Sequence, residues 1–196
     1  MIDYFALLDQ PRAPWLDLDE LKNTYYQKTL QAHPDAQATR ARADATDAAS
    51  FASLNEAYQV LQDPKRRLHH LLSLEGAAPS SHQTVPQHLH DLFPVVGALT
   101  QRANLLLEKI GAISNRLSQS LLKPQILEVQ NEAREVRTKI QHLFDGSLAE
   151  LRQINRAWAN NPREQTKALS NLYVAFAYLT RWLAQLDEIT FQLSLH

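Results

Sequence analysis

The stretch that decides the fold is His33-Pro34-Asp35, which lies between two segments with the apolar spacing of helices. Proline disfavours the α region in the residue before it, so the preceding helix should end near His33. The turn then places an imidazole and a carboxylate side by side, on a proline whose φ is fixed. The tripeptide is either a plain helix–helix corner or a functional loop, and the flanking sequence has to distinguish the two.

Both flanks of the tripeptide predict helices. Upstream, Asp17 with Glu20 indicates a helix N-terminus, and Asp63-Pro64 indicates the end of the downstream helix and the start of a further one. Apolar positions recur three and four residues apart at Leu18, Leu21, Tyr25, Thr29 and Ala32, and again at Phe51, Leu54, Tyr58 and Leu61. The short apolar segment at residues 3–8 precedes this pair and could pack across it.

A short N-terminal helix followed by two helices joined at His-Pro-Asp resembles the J-domain of the DnaJ family. Within that family the sequence is most similar to the HscB-type co-chaperones of iron–sulfur cluster assembly. The matching residues are Asp3-Tyr4-Phe5, His33-Pro34-Asp35, Asn55-Glu56-Ala57-Tyr58 with Leu61, and Leu71-Leu72-Ser73-Leu74 with Gly76. The last group is typical of the HscB branch, because ordinary J-domains do not end in this way.

The resemblance implies a function for the loop. J-domains dock on the ATPase domain of a DnaK- or HscA-type chaperone and accelerate its ATP hydrolysis. In this interpretation Asp35 accepts charge-assisted hydrogen bonds from a chaperone arginine. Pro34 fixes the turn, and His33 orders the loop or contacts the chaperone.

The helix ahead of the loop departs from the family pattern. It usually presents a basic face to the chaperone, but here Gln27 and Gln31 replace common basic positions, and Lys22 and Lys28 are the lysines that remain. Electrostatic steering of the complex should therefore be weak. The alternative is an attenuated J-like interaction scaffold, which no longer stimulates a chaperone and binds a different client through its second half.

The second half of the chain predicts a bundle. We divide the chain into a J-domain at residues 1–75, a linker at 76–86 and an antiparallel three-helix bundle at 87–196, which makes an all-α protein. Three apolar stripes, in which apolar residues recur three and four positions apart, each run over about 30 residues. They predict an elongated bundle with helices on the order of 45 Å long. The three stripes are Leu89, Leu92, Val96, Leu99, Ala103, Leu106, Ile110 and Ile113; Ile126 to Leu143, extended through Leu151, Ile154 and Trp158; and Leu169, Leu172, Phe176, Leu179, Leu183 and Leu186.

The first bundle helix carries the predicted client site. HscB-type proteins bind an IscU-type scaffold there through an apolar patch flanked by acids, and the resemblance places Leu92, Phe93 and Val96 in that patch. Gly97, Thr100 and Asn104 occupy the acidic positions, so we expect a partner that acidic contacts do not select. Pro94 should kink or restart this helix. Alternatively, Leu92 and Val96 lie wholly inside the bundle.

Composition excludes several classes of function. The chain has 196 residues, no cysteine and a formal net charge of −1. The absence of cysteine removes disulfides, thiolate ligands and thiol nucleophiles, and the charge argues against a nucleic-acid partner. The sequence has neither an apolar run of membrane-spanning length nor a signal peptide. We therefore expect a cytoplasmic protein without cofactor, metal or membrane partner, and without enzymatic activity of its own.

Three weaker patterns favour structural interpretations. His69-His70 and the pair His88 and His90 lack the spacing of helical metal ligands, so we place them at surface or edge positions. The basic clusters Arg40 with Arg42 and Lys65-Arg66-Arg67 are interpreted as solvated helix faces. The aromatic residues Tyr173, Tyr178 and Trp182 are assigned to the core of the bundle rather than to a cofactor site.

Overall fold

The computed structural model describes residues 1–32, 45–79 and 84–196, with the backbone alone described at residues 32, 45–50, 116 and 117. In this part of the chain all regular secondary structure is helical, which confirms the predicted all-α fold. The helices are α1 (Tyr4–Leu7), α2 (Leu18–Ala32), α3 (Ala45–Gln62), α4 (Pro64–Leu74), α5 (Leu92–Ala112), α6 (Arg116–Ser120), α7 (Lys123–Trp158) and α8 (Pro162–Ser194). Over the same ranges, no helix is both long and apolar enough to cross a bilayer.

The chain divides into two compact units. The first comprises Met1–Gln83 and Glu150–Tyr173, and the second comprises Thr84–Ala149 and Val174–His196. Each unit therefore contains part of α7 and part of α8. The division into a J-domain, a linker and a bundle at residues 75 and 86 stays a prediction.

The helix boundaries of the first unit follow from local capping chemistry. The Asp17 carboxylate accepts hydrogen bonds from the backbone amides of Asp19 and Glu20, at 2.9 and 3.2 Å, which starts α2 where the sequence predicts. The Asp63 carboxylate accepts from the amide of Arg66 at 2.7 Å, and Pro64 occupies the first position of α4.

A glycine ends α4. Gly76 has φ +70°, and its amide donates to the carbonyl of Ser73 at 3.2 Å. The next amide, that of Ala77, donates to the carbonyl of Leu72 at 2.8 Å. This pair of bonds is a Schellman motif, which requires the left-handed conformation that glycine adopts without steric cost.

The core of the first unit lies where α3 packs against α1, α2 and α4. Side chains that are buried there come from every one of these elements: Phe5, Leu8, Leu21, Leu54, Ala57, Leu61, Leu68, Leu71 and Leu72. Two residues of the predicted apolar faces differ from expectation, because Leu18 is 48% exposed and Phe51 is 39% exposed. Leu18 is at the beginning of α2 and Phe51 is in the first half of α3, and each stands at the edge of the apolar face of its helix.

The second unit is an up–down–up bundle of α5, α7 and α8. Thr100 and Gln185 are hydrogen-bonded between α5 and α8, whereas Arg102 and Glu132 are ion-paired between α5 and α7. Its core contains Leu89, Val96, Leu99, Ala103, Leu106, Ile110, Ile126, Val129, Ala133, Val136, Ile140, Ala175, Leu179, Trp182, Leu186, Ile189 and Leu193. The three predicted stripes supply most of these residues. The helix of the second stripe continues through Gly146 to Trp158, as the sequence predicts.

The helical segment restarts close to Pro94, as expected, because a 3₁₀ turn at Gln87–Leu89 is followed by α5. Helix α5 begins at Leu92, so Pro94 falls in its first turn. The amides of that turn have no partner within the helix, and a proline there removes no hydrogen bond.

Candidate functional site

The predicted chaperone loop is flanked by two helices that pack together. The ring of Tyr25 on α2 stacks on that of Tyr58 on α3, with centroids 4.3 Å apart, and its hydroxyl donates a hydrogen bond to the Asn55 amide oxygen. These contacts fix α2 against α3 on either side of the loop. His33, Pro34 and Asp35 themselves lie outside the described residues, as do Arg40 and Arg42.

The outer face of α2 is more apolar than basic. Lys28 forms an ion pair with Asp9, with Nζ 2.8 Å from Oδ2, and is only 28% exposed. Lys22 lies over the ring of Tyr26, with Nζ 5.8 Å from the centroid. Tyr26 is 52% exposed and Leu30 is 69% exposed. A partner that approaches this face therefore meets one exposed lysine and two large apolar side chains.

The predicted client site divides between core and surface. Phe93 is 39% exposed, and its ring packs edge-on against Tyr178 and Trp182, at 5.1 and 4.9 Å between centroids. Leu92 is partly buried against the bundle core. Val96 is 2% exposed, so the expectation that it forms part of an exposed patch is wrong: its position on the apolar stripe of α5 buries it.

Of the three positions at which the HscB family carries acids, only Thr100 is engaged in the bundle. The Thr100 hydroxyl accepts a hydrogen bond from the Gln185 amide at 2.8 Å and donates to the carbonyl of Val96 at 2.7 Å. Gly97 and Asn104 are exposed. This side of α5 therefore presents an aromatic ring without a carboxylate at these three positions.

The histidine pair on α4 has one exposed and one buried member. His69 is exposed and packs against Tyr173, with centroids 5.7 Å apart. His70 is 5% exposed, so its predicted surface position is wrong. Its Nε2 accepts a hydrogen bond from the amide of Tyr4 at 3.1 Å, and its ring stacks on that of Tyr4 at 4.5 Å. Burial lowers the pKa of His70, so the neutral form that can accept this hydrogen bond is favoured.

The basic cluster on α4 is not a uniform solvated face. Arg67 is 2% exposed, and its Nε donates to the carbonyl of Pro14 at 2.9 Å. Burial lowers the pKa of Arg67 to about 10, so the guanidinium remains charged at neutral pH. The sequence could not distinguish Arg67 from Lys65 and Arg66, because all three stand in the first turn of α4.

The aromatic cluster of α8 also needs correction. Trp182 is buried in the bundle core with Tyr178 packed against it, as expected. Tyr173 belongs to the first unit and contacts His69. Among the residues the structure describes, no group of three or more histidine, aspartate or glutamate side chains is arranged to hold a metal ion.

Sequence reasoning missed the contribution of α7 to the first unit. The indole nitrogen of Trp158 donates to the carbonyl of Arg12 at 2.8 Å, and the amide of Trp15 donates to the side-chain oxygen of Asn155 at 3.2 Å. The guanidinium of Arg152 lies 4.1 Å from the ring centroid of Trp15, within cation–π range. The only signal in the sequence was Trp158 itself, a large aromatic residue at the end of an apolar stripe.

Comparison with known proteins identifies the N-terminal region. The family model of the DnaJ domain matches residues 3–70. The co-chaperone protein HscB of Proteus mirabilis is 36% identical over 105 residues, which cover 53% of this chain and 59% of the relative. The HscB homolog of Paraburkholderia phymatum is 40% identical over 74 residues, which cover 37% of this chain and 42% of the relative. The chain thus spans about half the length of the curated relatives it matches.

Solved structures resemble the fold over nearly the whole chain. The chaperone HscB from Vibrio cholerae superposes with a TM-score of 0.60 at 21% identity, covering 98% of this chain and 99% of its own. The human co-chaperone protein HscB superposes with a TM-score of 0.56 at 16% identity, covering 96% and 82%. At these identities the likeness concerns the fold. Residues 3–70 thus match the DnaJ domain, and the chain as a whole is similar to HscB co-chaperones in part of its sequence and in its fold.

Proposed function

We propose that this chain is a co-chaperone that stimulates the ATPase of a DnaK- or HscA-type chaperone through His33, Pro34 and Asp35. The observation that carries the proposal is the DnaJ-domain match over residues 3–70, with α2 and α3 packed together on the two sides of that tripeptide. A J-domain of this kind needs no reactive groups of its own. It acts by favouring the chaperone conformation in which water and the γ-phosphate are aligned.

The proposed client is an IscU-type scaffold in iron–sulfur cluster assembly, bound at Phe93 with Leu92 beside it. The names of the HscB relatives and the exposed aromatic side chain of Phe93 support this assignment. An exposed ring that is already held by two other aromatic residues loses little conformational freedom on binding, which favours its use in an interface. We expect the chain to meet its chaperone and its client in the cytoplasm.

A second candidate is an interaction scaffold that does not stimulate a chaperone. The specific observation in its favour is the ion pair of Lys28 with Asp9, which neutralises one of the two lysines that α2 could offer to an acidic chaperone. In this case the chain would act only by binding a partner at the proposed client site.

Single-turnover ATP hydrolysis by a DnaK- or HscA-type chaperone distinguishes the two candidates. The wild-type chain should raise the rate, and Asp35→Asn should return it to the basal rate. Circular dichroism and the melting temperature of Asp35→Asn should match those of wild type. If the wild-type chain leaves hydrolysis at the basal rate with both chaperone types, the co-chaperone proposal fails. The second candidate, an interaction scaffold that does not stimulate a chaperone, then remains.

A further inference from the structure

A cleft in the first unit is not used by the proposed function. Its volume is about 330 Å³, and it lies between the start of α1, the end of α3 and the first turns of α4, with Tyr173 of α8 at its edge. Its lining includes Tyr4, Lys65, Arg66 and His69. All of these residues belong to the same compact unit.

Two positive charges stand in this cleft where the helix itself disfavours them. Lys65 and Arg66 lie in the first turn of α4, close to the positive end of the helix dipole, where acidic residues are the stabilising choice. Within the described ranges, neither side chain forms an ion pair, and Arg66 makes one long hydrogen bond of 3.4 Å to the carbonyl of Gln59. Their neighbour Arg67, in contrast, is buried and donates to two backbone carbonyls. The Asp63 carboxylate caps this helix end, but within the described residues no ion pair joins it to Lys65 or Arg66, so both charges remain available to a ligand.

The other side chains that line the cleft are aromatic or apolar: Met1, Tyr4, Val60, His69, His70 and Tyr173. Tyr4 stacks on His70, and His69 packs against Tyr173. Val60 adds an aliphatic surface. Glu56, the acid that interacts with Tyr4, is not among the residues that line the cleft, and burial together with its hydrogen bond raises the pKa of the Tyr4 hydroxyl. The cleft therefore combines a largely aromatic and apolar lining with the positive charges of Lys65 and Arg66.

We propose that this cleft binds an acidic segment of a partner protein, with one apolar side chain against the rings of Tyr4, His69 and Tyr173 and carboxylates on Lys65 and Arg66. An arginine guanidinium matches a carboxylate with two parallel hydrogen bonds, and a lysine adds a second point of charge. The aromatic surface favours a peptide over a bare phosphate, because a compact anion would leave the rings uncovered. None of the residues that line this cleft belongs to the proposed chaperone loop or client site, and peptide binding to it can be measured without either partner.

The test uses the full chain and a fluorescein-labelled peptide with a central leucine and two acidic residues on each side of it. Fluorescence anisotropy should show saturable binding. Lys65→Gln combined with Arg66→Gln should weaken binding by at least about ten-fold. The matched control, Lys139→Gln with Arg156→Gln, removes the same charge from exposed positions on α7 and should change the dissociation constant by less than about two-fold. A peptide with glutamine and asparagine in place of the acids should not bind.

The variants also separate binding from folding. Removal of two cations from the N-terminal turn of α4 should leave the melting temperature unchanged or raise it. Tyr173→Ala, on a different helix, should weaken peptide binding with both charges intact. The proposal is overturned if the wild-type chain shows no saturable binding, if the control pair weakens binding as much as the cleft pair, or if inorganic phosphate at the same ionic strength displaces the peptide where chloride does not.

Discussion

Nε of Arg67 donates a hydrogen bond to the carbonyl oxygen of Pro14 at 2.9 Å, across 53 residues of sequence. A second nitrogen of the same guanidinium donates to the carbonyl of Leu61 at 2.5 Å. One buried side chain on α4 therefore joins the last turn of α3 to the segment that precedes α2. It supplies donors to two backbone carbonyls in the interior of the first unit.

Arg67→Leu should lower the free energy of unfolding by about 2 kcal/mol, because two buried carbonyls lose their donors. Arg67→Lys should retain part of the stability, since an ammonium group cannot reproduce the fork of the guanidinium. Urea unfolding followed by circular dichroism measures both. The control is Arg66→Leu at the exposed neighbouring position, which should change stability by no more than about 0.5 kcal/mol. Equal losses at positions 66 and 67 would contradict the structural role of Arg67.

The stability of the chain should fall as the pH is lowered below about 6.5, the ordinary pKa of histidine. Burial lowers the pKa of His70 in the folded state, although Asp3 opposes this shift. The unfolded chain therefore binds the proton first, and each step down in pH through this range favours unfolding. His70→Gln keeps an acceptor for the Tyr4 amide without titrating, so it should flatten the dependence of the urea midpoint on pH between about 7 and 5. The control His88→Gln, at an exposed position, should leave the pH dependence of the urea midpoint unchanged. If His70→Gln has the same pH dependence as wild type, His70 is not the group responsible.

Phe93→Ala should weaken binding of an IscU-type scaffold by about ten-fold or more, because the variant removes the exposed ring at the centre of the proposed client site. The matched control is Val95→Ala, which shortens a neighbouring side chain that is 41% exposed. Isothermal titration calorimetry gives the dissociation constants. Raising the salt concentration should have little effect on the wild-type affinity, since Gly97, Thr100 and Asn104 carry no charge. Unchanged affinity of Phe93→Ala would remove this residue from the site.

Chaperone stimulation should depend more on the apolar residues of α2 than on its lysines. Tyr26→Ala and Leu30→Ala should each raise the concentration of the chain needed for half-maximal stimulation, because both residues are more than half exposed on α2. Lys28→Ala should have the smaller effect, since its charge is already paired with Asp9. An ATPase titration at low and moderate salt measures these differences. A dominant effect of the lysine variant, or a steep loss of affinity with salt, would indicate an electrostatic interface instead.

The sequence predicts the fold well where one residue decides the local geometry. Asp17 starts α2, Asp63 and Pro64 start α4, and both caps are visible in the sequence because the carboxylate acts on amides two or three residues away. The apolar stripes likewise predict the bundle helices, including the passage of α7 through Gly146. These signals are local, so no knowledge of the tertiary structure is needed to read them.

Burial of polar residues is harder to predict, since it depends on contacts that are distant in sequence. Arg67 is buried because Pro14 and Leu61 supply carbonyls, and His70 because the amide of Tyr4 needs an acceptor. Neither partner can be recognised from the spacing of residues on α4. At the client site the same limit applies to Thr100, whose partner Gln185 lies 85 residues further along the chain.

The contacts of Trp158 with Arg12 and of Asn155 with Trp15 have an evolutionary consequence. Residues 3–70, which match the DnaJ domain, do not carry all of their own contacts, because they form two hydrogen bonds with the end of α7. Recombination that moved this stretch into an unrelated gene would leave the carbonyl of Arg12 and the amide of Trp15 without these partners. We therefore expect this stretch to be inherited together with α7.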